Sequence, residues 1–202
     1  MKKMQLKLLY EGTIAEMLES EDLFGWDLSG KAEPLVNVTL DSCHISAADF
    51  TDTGSSFSLV DCLLESSDFS NLDFTRQTFF RTHFVRCKLV GTDFSQSRFV
   101  DCLFEDCILP YSNFSETEWK DCEIRNCDCT HSFFSSLKQK NLKFKNVTLR
   151  EAEMLDSDLK DVDISDCTID GGLFNPKSLN GLSVSREQAV SLSKLLGLVV
   201  KD

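Results

Sequence analysis

Apolar residues recur at every fifth position along most of the chain. Every fifth residue from Leu59 to Val184 is apolar, with Cys129 counted as apolar and Gln139 as the one exception. These positions are termed centres below. An α-helix would spread the centres around its surface, and a flat strand would place successive centres on opposite faces. A chain that turns a corner once per five residues instead closes a square coil in about twenty, and such coils stack like paired strands, roughly 4.8 Å apart.

A square coil of this kind has four inner columns of stacked centres. Similar residues recur within each column. One column reads Phe74, Phe94, Phe114, Phe134, Met154 and Phe174. A neighbouring column reads Leu64, Phe84, Phe104, Ile124, Phe144, Ile164 and Val184. We therefore predict an all-β fold, a quadrilateral β-helix whose coils are held together by aromatic stacking along the axis.

A second row of mostly small residues lies two positions before the centres, and eight of the nine cysteines belong to it. These are Cys43, Cys62, Cys87, Cys102, Cys107, Cys122, Cys127 and Cys167. The row needs a small side chain that tolerates burial, as a free cysteine does. No Cys-x-x-Cys pair occurs, and only His44, His83 and His131 could join the cysteines as metal ligands. We predict buried structural cysteines rather than a redox or metal site.

Several five-residue units resemble the A(D/N)Lxx unit of pentapeptide-repeat proteins. Examples are SSDFS (66–70), NLDFT (71–75), GTDFS (91–95), YSNFS (111–115) and DSDLK (156–160). The resemblance covers residues 38–184 and implies a right-handed quadrilateral β-helix, although Cys, Ser or Thr usually replaces the Ala. Phe50 and Leu59 are nine residues apart instead of ten, so we expect residues 51–58 to bulge or to shorten one corner.

The two ends of the chain lack the repeat, and we predict that they cover the open mouths of the coil. Residues 1–37 are predicted to form an N-terminal cap, in which Thr13 and Glu16 have the spacing of a capping box before a short helix. Residues 185–202 are predicted to form a C-terminal α-helix and tail.

The C-terminal segment is predicted to begin with a capping box at Ser185 and Gln188 and to stop at Gly197. Its apolar residues either plug their own coil or form a homodimer interface, and we favour the dimer because helix and tail exceed what one coil mouth needs. The interface residues predicted are Ala189, Leu192, Leu195, Leu196, Leu198, Val199 and Val200. The ending GLSVSREQAVSLSKLLGLVVKD resembles that of the Qnr/MfpA-type quinolone-resistance proteins, which implies the same dimer.

The chain is acidic, with 21 Lys and Arg against 33 Asp and Glu and a net charge of −12. An acidic surface repels phosphates, so we expect no direct binding of nucleic acid. The first residues lack the apolar core of a signal peptide, and no apolar run reaches the roughly 18 residues of a membrane span. We predict a cytoplasmic protein without membrane association.

Outward carboxylates two positions after the centres are predicted to form an acidic partner-binding face. They are Asp101, Asp106, Asp121, Asp161 and Asp166. Asp101 and Asp121 are twenty residues apart and are expected to stack as a ladder. The same row contains Arg76, Arg81 and Arg86, and Lys120, Lys140 and Lys160 form a basic ladder, so the acidic face is only partial.

The Qnr/MfpA resemblance implies a DNA-mimicking protein that binds DNA gyrase or topoisomerase IV where duplex DNA would lie. A scaffold for another protein partner, or carboxylates that serve only solubility, remain open alternatives. An enzyme is disfavoured, because the histidines lie on separate outward positions and no phosphate-binding or metal motif occurs, so no catalytic, cofactor-binding or metal residues are predicted. The chain lacks the long loops of many Qnr proteins, so we expect binding more than quinolone protection.

Overall fold

The structure, a computed structural model, describes residues 10–12, 17, 25–51 and 53–201. Its elements include parallel strands and the helix α1 (Arg186–Ser193), which is followed by a 3-10 turn at Lys194–Leu196. The strands are β1 (Tyr10–Gly12), β2 (Trp26–Lys31), β3 (Val36–Asp41), β4 (His44–Asp49), β5 (Ser56–Val60), β6 (Leu63–Glu65), β7 (Thr78–Phe80), β8 (His83–Val85), β9 (Arg98–Val100), β10 (Leu103–Glu105), β11 (Glu118–Lys120), β12 (Glu123–Arg125), β13 (Lys138–Lys140) and β14 (Lys143–Lys145).

The coil has four faces, numbered here in chain order. Face 1 is a six-stranded sheet of the odd-numbered strands from β3 to β13, and face 2 is an eight-stranded sheet of β1 and the even-numbered strands. Faces 3 and 4 stack through isolated parallel bridges, such as Asp93 with Asn113. Phe79 likewise pairs with Phe99 on face 1, twenty residues further on. The predicted fold is confirmed, and the chain is a right-handed quadrilateral β-helix in which face 2 lies opposite face 4.

The coil that contains residues 51–58 is shorter than the regular coils that follow it. Leu40 pairs with Leu59, so this coil has nineteen residues instead of twenty. Phe57 fills the inside of the shortened corner, with its ring 5.5 Å from that of Phe50 and 5.0 Å from that of Phe74. The irregularity predicted within residues 51–58 is confirmed as the loss of one residue.

Stacked aromatic rings fill the centre of the rod. The ring of Phe94 lies 4.9 Å from that of Phe114 at an interplanar angle of 6°, and the rings of Phe84 and Phe104 lie 4.6 Å apart at 4°. These four side chains are fully buried. Each such pair contributes about 0.5–1.5 kcal/mol beyond the burial of its area. The predicted columns of like residues are therefore a main source of cohesion between coils.

The second inner row satisfies backbone carbonyls. Ser97 Oγ donates to the carbonyl of Phe74 at 2.6 Å, and Cys102 Sγ donates to that of Phe79 at 3.3 Å. A hydroxyl or thiol therefore links each coil to the preceding one, which explains why Ser, Thr and Cys replace Ala. All nine cysteines are buried, and burial raises the pKa of Cys129. Their predicted structural burial is confirmed.

The corner positions two residues after the centres have a left-handed backbone. The angle φ is +60° at Asn71, +59° at Asp101 and +54° at Asp121. This conformation costs an ordinary L-residue roughly 1–2 kcal/mol, and Gly, Asn and Asp adopt it most readily. Aspartates at corners thus have a conformational reason to be there as well as a chemical one.

The stacked part of the molecule begins before residue 38. Within the segment predicted as a cap, Tyr10 pairs with Trp26, and Leu28 pairs with Ile45, so β1 and β2 extend face 2. The short helix predicted at residues 14–20 lies outside the described residues except for Met17, which is helical and fully buried.

Candidate protein-interaction surfaces

The five predicted aspartates border one face of the rod. Asp101, Asp121 and Asp161 lie at the corner between faces 1 and 2, and Asp106 and Asp166 lie at the corner between faces 2 and 3. The structure thus brings them to the two edges of face 2. They are named the five-aspartate surface below.

Cationic side chains lie within the five-aspartate surface. Arg81 precedes Asp101 in the same corner column and forms a bidentate ion pair with Asp61, which raises the pKa of Arg81. On face 2, Arg125 Nη2 donates to Glu105 at 2.7 Å, and Arg125 Nη1 lies 3.5 Å from Glu123. The field between the two corners is therefore of mixed sign.

The opposite side of the rod is more uniformly acidic. Along residues 68–156, the Lys and Arg side chains of faces 3 and 4 are Arg76, Lys88 and Arg150. Five of the carboxylates of this side, Asp73, Asp93, Asp128, Glu151 and Glu153, are named the opposite acidic surface. Asp73 and Asp93 are direct bridge partners in successive coils, which places two carboxylates one above the other.

The acidic face predicted from the sequence comprises positions two residues after the centres. That prediction missed these carboxylates because most of them lie one position before a centre. The signal for that position is a recurring Asp or Asn followed two residues later by Thr or Ser. Asp73 Oδ1 accepts from the backbone N–H of Thr75 at 2.9 Å, and Asp93 Oδ1 accepts from that of Ser95 at 2.8 Å. These turns orient the carboxylates on face 4.

A cleft interrupts faces 1 and 2 near the C-terminal end. Strands β13 and β14 are the last of their sheets, and the next coil is a chain of turns on these faces. A cavity of about 750 Å³ opens between the two coils. Its charged lining residues are four lysines, Lys140, Lys143, Lys145 and Lys160, and four aspartates, Asp158, Asp161, Asp163 and Asp166. Asp161 and Asp166 therefore lie in a field of mixed sign.

Gln139, the one polar centre, bridges this cleft. Its Nε2 donates to the carbonyl of Lys160 at 2.9 Å, and its Oε1 accepts from the N–H of Leu142 at 3.0 Å. The side chain thus binds backbone groups at the point where the strand ladder stops. This explains the single exception in the row of centres.

Helix α1 closes the C-terminal mouth of the coil through a polar residue. The capping box of Ser185 and Gln188 is present as predicted. Gln188 is buried, and its Nε2 donates at 2.8 Å to the carbonyls of both Ile164 and Cys167. Gly197 ends the 3-10 turn with a φ of +73°, as predicted.

The apolar residues predicted for the dimer interface divide between the coil and solvent. Leu192 is partly buried against the core, whereas Ala189 is exposed. The remaining predicted residues are also exposed, namely Leu195, Leu196, Leu198, Val199 and Val200. An apolar end of this kind is a candidate surface for association.

His44 and His131 contact carboxylates on separate parts of the surface. His44 lies between two carboxylates, 3.1 Å from Asp27 and 2.9 Å from Glu65, and His131 Nδ1 lies 3.4 Å from Glu151. In the described part of the chain, no group of three or more His, Cys, Asp or Glu side chains is arranged to hold a metal ion. No helix among the described residues is long and apolar enough to cross a bilayer.

The sequence pattern described as Pentapeptide repeat region matches residues 57–134 and 97–174, which together make up more than half of the chain. The chain belongs to the pentapeptide-repeat family. The family assignment agrees with the five-residue spacing, the four faces and the second inner row. None of the curated proteins compared by sequence matches the chain.

Solved structures of pentapeptide-repeat proteins resemble this one at low sequence identity. A trypsin-treated variant of QnrB1, a plasmid-mediated fluoroquinolone resistance protein, is 16% identical over 89% of this chain and 99% of that chain, with a TM-score of 0.39. HetL from the cyanobacterium Nostoc sp. strain PCC 7120, involved in regulating heterocyst differentiation, is 11% identical over 85% and 94%, with a TM-score of 0.35.

Proposed function

We propose that this pentapeptide-repeat protein is a non-enzymatic DNA mimic that binds a type II topoisomerase, DNA gyrase or topoisomerase IV, in the cytoplasm. The observation that carries the proposal is the stacking of carboxylates along an acidic rod, as in the bridge between Asp73 and Asp93. Like charges held roughly 5 Å apart repel each other, and a cationic groove built for duplex DNA relieves that repulsion.

Two surfaces are candidates for the contact. The five-aspartate surface has Arg81 and Arg125 among its carboxylates, whereas the opposite acidic surface has few cations nearby. A cationic groove is attracted more strongly by the side with fewer cations, because the potentials of opposite charges that lie within a Debye length of about 10 Å partly cancel. The opposite acidic surface is therefore the stronger candidate.

The test is a titration of purified gyrase with the protein, reading both DNA supercoiling and direct binding. Two matched variants remove charge and keep the local turns, Asp73→Asn with Asp93→Asn and Asp101→Asn with Asp121→Asn. We expect inhibition by the wild type, weaker binding by the first pair, and a smaller salt dependence of binding for that pair. Absence of binding to gyrase and topoisomerase IV at micromolar concentration would instead favour a scaffold for another protein partner. The mixed charge of face 2 is also compatible with such a scaffold.

We further propose that the protein is a homodimer through its C-terminal end. The exposed apolar residues Leu196, Leu198 and Val199 lie close together in sequence there and form an apolar surface that a second copy can cover. Light scattering tests this with the double variant Leu196→Asp and Val199→Asp, which changes exposed side chains and leaves Gln188 in place. The expected result is a dimer for the wild type and a monomer for the variant. The same mass for both proteins would remove the proposed interface.

A further inference from the structure

A cluster of exposed apolar and aromatic side chains interrupts the opposite acidic surface at the corner between faces 3 and 4. Ile108, Tyr111 and Phe133 are 50%, 57% and 42% exposed. The ring of Tyr111 stacks on that of His131 at 4.9 Å and 9°. Phe133 is the bridge partner of Asn113, which follows Tyr111 by two residues, so the side chains are neighbours around one corner. Ile108, Tyr111, His131 and Phe133 are termed the aromatic cluster below.

Tyr111 occupies a corner that does not suit it. Its φ is +63°, in the left-handed region that a bulky aromatic residue rarely adopts. The fold sets this conformation throughout the column, with φ angles of +60° at Asn71, +67° at Gly91, +57° at His131 and +54° at Glu151. Asn and Gly adopt it more readily than a bulky aromatic residue, so Tyr111 is an uncommon choice at this corner.

Phe133 breaks a second rule of the repeat. The residues that precede it in its column, Asp73, Asp93 and Asn113, each accept the N–H two residues later. A phenylalanine ring cannot accept that hydrogen bond, and here it is left partly in water. Asparagine would suit the local structure at both position 111 and position 133, yet both positions carry exposed rings.

Carboxylates border the aromatic cluster on its C-terminal side. There Asp128 is the bridge partner of Ile108, Glu153 is that of Phe133, and Glu151 lies 3.4 Å from His131. On the N-terminal side the bridge partner of Ile108 is Lys88, which is paired with Asp68. In the coils that carry the cluster, residues 108–116 and 128–136 contain no Lys or Arg. An apolar centre with an acidic border complements an apolar pocket with a cationic border.

We propose that the aromatic cluster is the hot spot of the partner interface, with Tyr111 and Phe133 entering an apolar pocket bordered by Lys and Arg on the topoisomerase. This inference rests on the proposed function and adds a determinant that duplex DNA lacks. Carboxylates alone would suit any DNA-binding groove, whereas protruding rings select a protein surface with a matching pocket.

The test compares Tyr111→Asn, Phe133→Asn and the double variant with the wild type, using binding to purified gyrase and topoisomerase IV and the thermal midpoint of unfolding. These changes leave the net charge as it is. The control is Val36→Thr, because Val36 is 54% exposed and lies outside the cluster. We expect binding to weaken about 30-fold or more in the double variant, the loss typical of a hot spot. The midpoint should be unchanged or higher, and the control should bind like the wild type.

The outcomes separate the two proposals. If the wild type binds and the double variant binds equally well, the hot spot is overturned and the proposed function stands. If the thermal midpoint falls in both single variants, the rings serve packing, and the hot spot is again overturned. If the wild type binds neither topoisomerase, the proposed function fails, and the inference that rests on it fails with it.

Discussion

The middle of the rod and its C-terminal coils share one sequence period but differ in backbone and core. Between Phe74 and Phe134 the centres are mainly aromatic, and faces 1 and 2 are continuous sheets. Beyond β14 the centres become Met154, Leu159 and Ile164, and faces 1 and 2 continue as turns. The period therefore sets which side chains enter the core, while the backbone between them takes either of two forms.

Backbone hydrogen bonds between coils are lost at the junction of the two regions. The N–H of Asp121 donates to the carbonyl of Lys140, and that of Asn126 donates to the carbonyl of Lys145. One coil later, among the described residues, the N–H groups of Asn141 and Asn146 donate to no backbone carbonyl. The cleft follows from this break in the ladder.

The largest effect is expected in the aromatic middle. Phe94 is fully buried and has ring contacts with Phe74, Phe79 and four other rings. We expect Phe94→Ala to lower the free energy of unfolding by about 3–5 kcal/mol, and Met154→Ala in the same column to cost less because a flexible side chain leaves a site that collapses more easily. Urea denaturation measures both. An equal or larger loss for Met154→Ala would contradict the contrast between the two regions.

The C-terminal closure is expected to give the next effect. Gln188→Ala removes the donors for two buried carbonyls and the acceptor for the N–H of Ser185. Leaving such groups unsatisfied costs about 1–3 kcal/mol. The expected signature in denaturation is a loss of this size. Gln188→Glu serves as a partner variant that keeps the acceptor only, and a wild-type stability for both would exclude the polar closure.

A smaller effect is expected at the junction. Gln139→Ala removes two hydrogen bonds in a partly exposed place, for a loss of about 1–2 kcal/mol. Gln139→Leu restores an apolar centre without the bridge, and it separates packing from hydrogen bonding. If the leucine variant matched the wild type in denaturation, the bridge would contribute nothing to stability.

The smallest effects are expected from pH, and they differ between the two regions. In the middle, His83 lies between its strand partners Leu63 and Leu103, and burial lowers the pKa of His83. A lowered pKa means that the unfolded chain binds the proton more readily. This part of the stability is therefore complete above the ordinary histidine value of about 6.5 and is lost as pH falls through the lower folded value.

In the C-terminal coils the corresponding group is Asp163. Hydrogen bonds from Ser165 lower the pKa of Asp163, so its contribution is present above the ordinary value of about 3.9 and is lost at more acid pH. Unfolding measured from pH 8 to pH 3 should show that His83→Gln flattens the upper range and Asp163→Asn the lower one. If His83→Gln changed the stability only in the lower pH range and Asp163→Asn only in the upper one, the stated causes would be refuted.

The columns of centres, the buried cysteines, the short coil before Leu59 and the capping box of α1 could all be predicted, because each depends on spacing along the chain. The balance of charge on a face could not, because it depends on residues from neighbouring columns. Asp101 and Asp121 were expected to form an acidic ladder, but Arg81 and Lys143 lie around them. The bridge made by Gln139 was equally hidden, since the period does not tell where strands give way to turns.

Residue-resolved amide hydrogen exchange tests the central contrast most directly. The amides of Asp101, Asp121 and Asn126 should exchange slowly, because each donates across a continuous ladder. Those of Asn141 and Asn146, at the cleft, should exchange faster by orders of magnitude. Equal protection at all five positions would mean that the coils remain paired beyond β14 and would contradict the account.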